Sequence, residues 1–145
     1  MNSRYLSAAC LLLVSVAANA TGAPPPERHE LPVGDCMRTD RITNYTVVDL
    51  RTVTVANGPN FFKITTDVDC PRMDLGGGVR FKTAENIKAV QPMAICGSIN
   101  EKIIRQGSGD PPCTIQSVEK IDKATYEQLN QKHRTSGPGT SGGAH

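Results

Sequence analysis

Beyond its first twenty residues the chain carries four cysteines, Cys36, Cys70, Cys96 and Cys113, the residues best suited to chemistry here. A redox pair or a zinc site calls for close thiol spacing, and neither a C-x-x-C pair nor any short ligand spacing occurs. An even set behind an export leader instead predicts two structural disulfides. The favoured pairs are Cys36 with Cys70 and Cys96 with Cys113, the latter stapling the ends of neighbouring strands. A barrel that brings its first and last strands together would instead join Cys36 to Cys113.

His29, His133 and His145 are the only histidines, and all fall in or beside predicted tails. Metal binding and Ser/His/Asp or Cys/His catalysis need a rigidly held imidazole, so solvated side chains are expected. Asp67, Asp69 and Asp74 flank Cys70, but their spacing fits no calcium loop and Pro71 and Arg72 interrupt it, which predicts solvated turn carboxylates. A carboxylate pair for glycoside chemistry is neither supported nor excluded. Arg38, Arg41, Arg51, Arg72, Arg80 and Lys82 would make a basic face, yet a net charge of +2 and the absence of Trp argue against nucleic acid. The loop Gln106–Pro112, stiffened by Pro111-Pro112 beside Cys113, has the pre-organised character that a small inhibitor presents to a protease; its bland reading is a hairpin connection. The expectation is therefore no catalytic residue, no bound metal and no cofactor.

The leader accounts for the cysteine usage. Arg4 and the amino terminus form a basic start, Leu6–Val16 is an apolar run too short to span a bilayer, and Ala18-Asn19-Ala20 is a small-x-small site with cleavage expected after Ala20. Cys10 lies inside the apolar run and lacks the leucine of a lipoprotein signal three residues ahead, so it leaves with residues 1–20. Their removal takes away Arg4 and no acid, leaving a formal charge of +1 from +2. No second apolar run approaches the roughly twenty residues of a transmembrane helix. The mature chain is expected in the periplasm or secreted.

Residues 21–32, with Ala23-Pro24-Pro25-Pro26 and Glu27-Arg28-His29-Glu30, read as a disordered Pro-rich tether. Residues 33–131 read as one β-rich domain. Ile42, Tyr45, Val47 and Val48 mark a first strand before a turn at Asp49-Leu50-Arg51. Val53 and Val55 alternate with Thr52 and Thr54 as in a half-buried strand, and Asn57-Gly58-Pro59-Asn60 reverses the chain into Phe62, Ile64 and Thr66. Asp69-Cys70-Pro71 closes this three-stranded meander. Val79–Lys82 predicts a short strand after Leu75-Gly76-Gly77-Gly78; Glu85–Gln91 is weakly patterned. Met93–Cys96 and Ile99–Arg105 read as one strand or two, broken at Gly97-Ser98. A last strand begins at Cys113, with a bulge or change of face by Val118. Asp122 caps a helix from Lys123 to about Gln131, with Ile121 able to pack on Tyr126. Residues 132–145 read as a disordered Gly/Ser-rich tail. Short strands, short connections and one terminal helix predict a mainly β fold, a small antiparallel curled sheet or β-barrel stapled by disulfides.

The residues Cys36-Met37-Arg38-Thr39-Asp40-Arg41-Ile42, Tyr45–Val53, Cys70, Cys96 and Cys113–Val118 resemble a family of small exported proteins of gammaproteobacteria and their relatives, catalogued as a domain of unknown function. The resemblance runs from about Cys36 to Leu129. It implies a bacterial envelope location and a shared disulfide pattern, and it implies no activity. One departure stands out: the family often has an aspartate shortly after the third cysteine, where this chain has Gly97-Ser98-Ile99-Asn100.

Function is expected to be non-catalytic: an exported envelope protein that binds an unidentified envelope protein or ligand. The alternative is an inhibitor that offers the 106–112 loop to an exported enzyme.

Overall fold

The computed structural model describes residues 27–75, 77–85 and 92–136, with side chains through residue 132. Residues 1–26, which include the expected leader and cleavage site at Ala20, together with Gly76, residues 86–91 and residues 137–145 lie outside the described residues.

Eight strands, one α-helix and two short 3-10 turns make up the described fold. β1 (Met37–Arg38) pairs with β6 (Ala94–Ile95) in a two-stranded ladder. The main sheet has six antiparallel strands in the order β2 (Ile42–Val47), β3 (Thr52–Asn57), β4 (Asn60–Thr66), β8 (Cys113–Ile121), β7 (Lys102–Arg105) and β5 (Val79–Lys82). It curls as a half-barrel, so the expected fold class holds.

The expected meander is β2, β3 and β4. Gly58, at φ +60°, starts the two-residue turn that pairs Asn57 with Asn60, as a hairpin matched to strand twist requires. Val53 faces Ile64 and Ile64 faces Val118, while Val55 faces Phe62, and all five are buried on one face. Met37, Ile95, Cys70 and Met73 close over that face and complete the core. The ladder between β4 and β8 shifts at Thr65/Thr66, where Ser117 and then Ile115 are the partners, so Gln116 is the bulged residue and the change of face falls there.

The opposite face of β3 is also covered, unlike the half-buried strand expected. Thr54 is fully buried and its Oγ1 donates to Asn130 Oδ1 at 2.5 Å. The covering element is helix α1 (Lys123–Ser136), whose Tyr126 ring lies 4.7 Å from that of Phe61. The Asp122 cap is present, with Thr125 N–H donating to Oδ1 at 2.7 Å. The helix continues to Ser136, past the boundary expected near Gln131, so the tail predicted from residue 132 starts as helix.

β5 pairs with β7 and not with β4, because the segment after Cys70 carries the chain across the core to the far edge. The two edge strands nevertheless meet: Val79 N–H on β5 donates to Tyr45 Oη on β2 at 3.1 Å. One phenol thus joins the ends of the open sheet.

The disulfides correct the expected pairing. Cys36 bonds to Cys96 and Cys70 bonds to Cys113. The reason is the strand pattern: Cys113 starts β8 opposite Ile103, whereas Cys96 follows β6, which leaves the main sheet to pair with β1 and so lies beside Cys36. Cys70 is brought to Cys113 by the turn after β4, where its N–H donates to the Leu50 carbonyl at 2.7 Å. Closing loops of 60 and 43 residues is worth about 4 kcal/mol each in the chain-entropy account.

Candidate functional site

Among the described residues Glu101, at the end of the turn between β6 and β7, is a charged group taken out of water. Its residue is fully buried. A buried carboxylate needs donors, and here the backbone provides them: Cys96 N–H reaches both oxygens at 3.0 Å, Gly97 N–H reaches Oε2 at 2.7 Å and Ser98 N–H reaches it at 3.2 Å. Glu101 N–H in turn donates to the Ser98 carbonyl at 3.2 Å. Burial pushes the Glu101 carboxyl above the usual range, the three N–H groups pull against it, and the charge of Glu30 adds to the rise.

Glu30 belongs to a segment expected to be disordered, and the structure corrects that expectation for residues 28–31. Ser98 Oγ donates to Glu30 Oε1. Val118 N–H donates to the His29 carbonyl at 3.3 Å, and Leu31 N–H donates to the Cys96 carbonyl at 2.7 Å. Arg28 Nη1 donates to the carbonyls of Gly97 at 3.1 Å and Ile115 at 2.5 Å. His29 and Ser117 form an isolated parallel bridge. The segment is a strap laid between β8 and the Cys96–Ser98 turn. Gly97, at φ +96°, permits the close approach, since a Cβ there would overlap the His29 carbonyl.

His29, expected to be solvated, is an exposed residue whose Nδ1 is 3.2 Å from the Val118 carbonyl oxygen; the side chains of His133 and His145 lie outside the described residues. The aspartates around Cys70 are not gathered into a cluster. Asp69 lies 3.8 Å from Arg51 Nε, and Asp67 is engaged through its backbone, its N–H on the Thr114 carbonyl and its own carbonyl accepting from Arg51 Nη2. Among the described residues no group of three or more His, Cys, Asp or Glu side chains converges as metal ligands would. Three of the basic-face residues are committed to partners: Arg38 to Asp40, Arg51 to the Thr66 and Asp67 carbonyls, and Arg72 to Asp110.

The 106–112 loop is pinned from within. Arg72 and Arg105 both pair with Asp110, the latter at 3.1 Å, and Gln106 N–H donates to the Gly78 carbonyl at 3.0 Å. Burial disfavours the Asp110 charge, but hydrogen bonds from Arg105 and Ser108 and the charges of Arg72 and Arg105 outweigh it and hold the carboxyl below its ordinary value. At the same end of the strands, beside the turn between β2 and β3, lies an open depression of about 620 Å³, lined by Asp49, Leu50, Arg51, Thr52, Thr65 and Asp69. Leu50 is 40% exposed in its wall, and Val68, one residue from Asp69, is 58% exposed.

Residues 1–137 match the profile of a family of unknown function. The chain belongs to that family, DUF6491. No curated protein and no solved structure matches it. DUF6491 membership agrees with the resemblance to a domain of unknown function drawn from the cysteine flanks, and it assigns no chemistry to Glu101 or the strap. Sequence reasoning passed over both. Glu101 had a signal: Ser98-x-x-Glu101 is the spacing of a capping box, in which a carboxylate reaches back to the N–H three residues before it, here without a helix to follow. The strap had none, because a strand held by main-chain bonds needs no apolar pattern.

Proposed function

We propose that this DUF6491 chain is a non-catalytic exported envelope protein that works by binding a partner through the open end of the half-barrel. The observation that carries the reading is the depression at Asp49–Thr52, Thr65 and Asp69, where exposed Leu50 and neighbouring Val68 stand beside opposite charges. Exposed apolar side chains rimmed by polar groups favour a protein surface as the occupant. Export is supported by the leader, and a two-disulfide domain suits an oxidising compartment. The buried carboxylate that would tempt a catalytic reading spends its oxygens on backbone donors.

The second reading, an inhibitor, is favoured by the Asp110 clamp and the Cys70–Cys113 bond, which fix the 106–112 loop before any encounter.

A photo-crosslinking residue placed at Leu50 or at Gly109 in the exported protein distinguishes the two. A single discrete adduct from position 50, abolished by Val68→Asp, supports the binding surface. An adduct with an exported hydrolase from position 109 alone supports inhibition and overturns it. Mass spectrometry of the same sample reads the amino terminus, expected at Thr21.

A further inference from the structure

The slot that holds Arg28–Leu31 has supports of its own beside the strap. Its floor is β8, kept in place by β4, and its wall is the Cys96–Ser98 turn, fixed by Glu101 and by the bond to Cys36. The strap contributes main-chain bonds, the Arg28 and Glu30 contacts and one partly buried apolar side chain, Leu31, while His29 and Glu30 stay exposed. Such a segment is held in register without being locked in.

The link between strap and fixed domain is equally light. Between Pro32 and Cys36 runs a single 3-10 turn, Val33–Asp35, with no buried residue and no side-chain cap bond, and Val33 is 58% exposed. Cys36 is the anchor beyond it. Swinging the strap about this turn breaks few contacts in the domain, and every bond it loses is recovered if the same residues enter the slot of another molecule.

We propose that the slot between β8 and the Cys96–Ser98 turn is a strand-acceptor site whose partner is residues 28–31 of a second copy, giving a reciprocally strapped dimer. The second copy is the one occupant whose fit is displayed: Arg28 for the Gly97 and Ile115 carbonyls, Glu30 for Ser98, and a main chain that Gly97 admits. Because the hinge alone differs between closed monomer and dimer, the exchange follows concentration by mass action.

The test pairs two defective chains. One lacks residues 21–31 and keeps an open slot; the other carries Gly97→Ala, which blocks its slot and keeps its strap. Light scattering on the mixture is expected to show a doubled molar mass that neither chain shows alone at the same concentration. A second measurement, independent of whether Gly97→Ala folds, is a full-length His29→Cys, Ser117→Cys chain oxidised at micromolar and millimolar protein. The linkage across positions 29 and 117 is expected to change from within one chain to between two as concentration rises. A linkage that stays within one chain at every concentration overturns the proposal. So does a dimer formed by the strap-deleted chain alone, which places the interface elsewhere.

Discussion

Tyr45 on one edge of the sheet accepts a hydrogen bond from the main-chain N–H of Val79 on the other, at 3.1 Å. A side chain closes what the strands leave open. Gly78 leaves room for it, since a Cβ there would come within 2.8 Å of the phenol oxygen. Tyr45→Phe keeps the ring and deletes the acceptor, and about 1 kcal/mol of stability should go with it. The midpoint of urea unfolding should fall with an unchanged slope, and amide exchange at Val79 should accelerate more than at Val53.

Gly97→Ala should free the strap. The substitution puts a side chain against the His29 carbonyl at a backbone angle that L-residues rarely adopt. Leu31 and Val118 amides, which donate to the Cys96 and His29 carbonyls, should lose protection while those of β3 and β4 keep it. Equal protection in both proteins would show that the strap does not depend on this contact.

The buried Glu101 gives stability a pH dependence with a definite sign. Its folded carboxyl titrates above the ordinary value of 4.5, so the native state holds the proton more tightly than the unfolded chain does. Its contribution is therefore greatest below that ordinary value and is lost as pH rises through the raised folded one. Glu101→Gln removes the titration and adds a constant offset from altered hydrogen bonds. The stability of the parent relative to this variant should fall as pH rises above about 4.5 and then level off. A difference that is flat with pH, read from unfolding midpoints between acid and neutral conditions, would contradict the assignment.

Removing either disulfide should cost about 2–4 kcal/mol. Paired alanine variants, Cys36→Ala with Cys96→Ala and Cys70→Ala with Cys113→Ala, isolate each bond. Non-reducing peptide mapping of the parent should show these two linkages and no Cys96–Cys113 peptide.

The parts of the fold legible in the sequence are those set by neighbours along the chain. Val53 and Val55 with the Asn57-Gly58 turn announce β3 and β4, and Asp122 announces the helix, because alternation and caps are local signals. Burial of Thr54 is not local: it follows from where α1 lands, and a threonine that bonds to Asn130 looks the same in sequence as one that faces water. The disulfide pairing fails for the same kind of reason. Whether Cys96 neighbours Cys113 or Cys36 depends on β6 leaving the main sheet, a choice made by partners at the far end of the chain. The open depression is likewise invisible in sequence, since Leu50 and Thr65 meet only through strand pairing.

The two covalent loops, 36–96 and 70–113, interleave along the chain. Every peptide bond from Cys36 to Cys113 is therefore bridged by at least one of them. A protease that nicks the exposed Gly107 or Gly109, or any single bond in this stretch, leaves both halves on one covalent molecule. Cut there once, the protein remains a single covalent molecule until it meets a reductant.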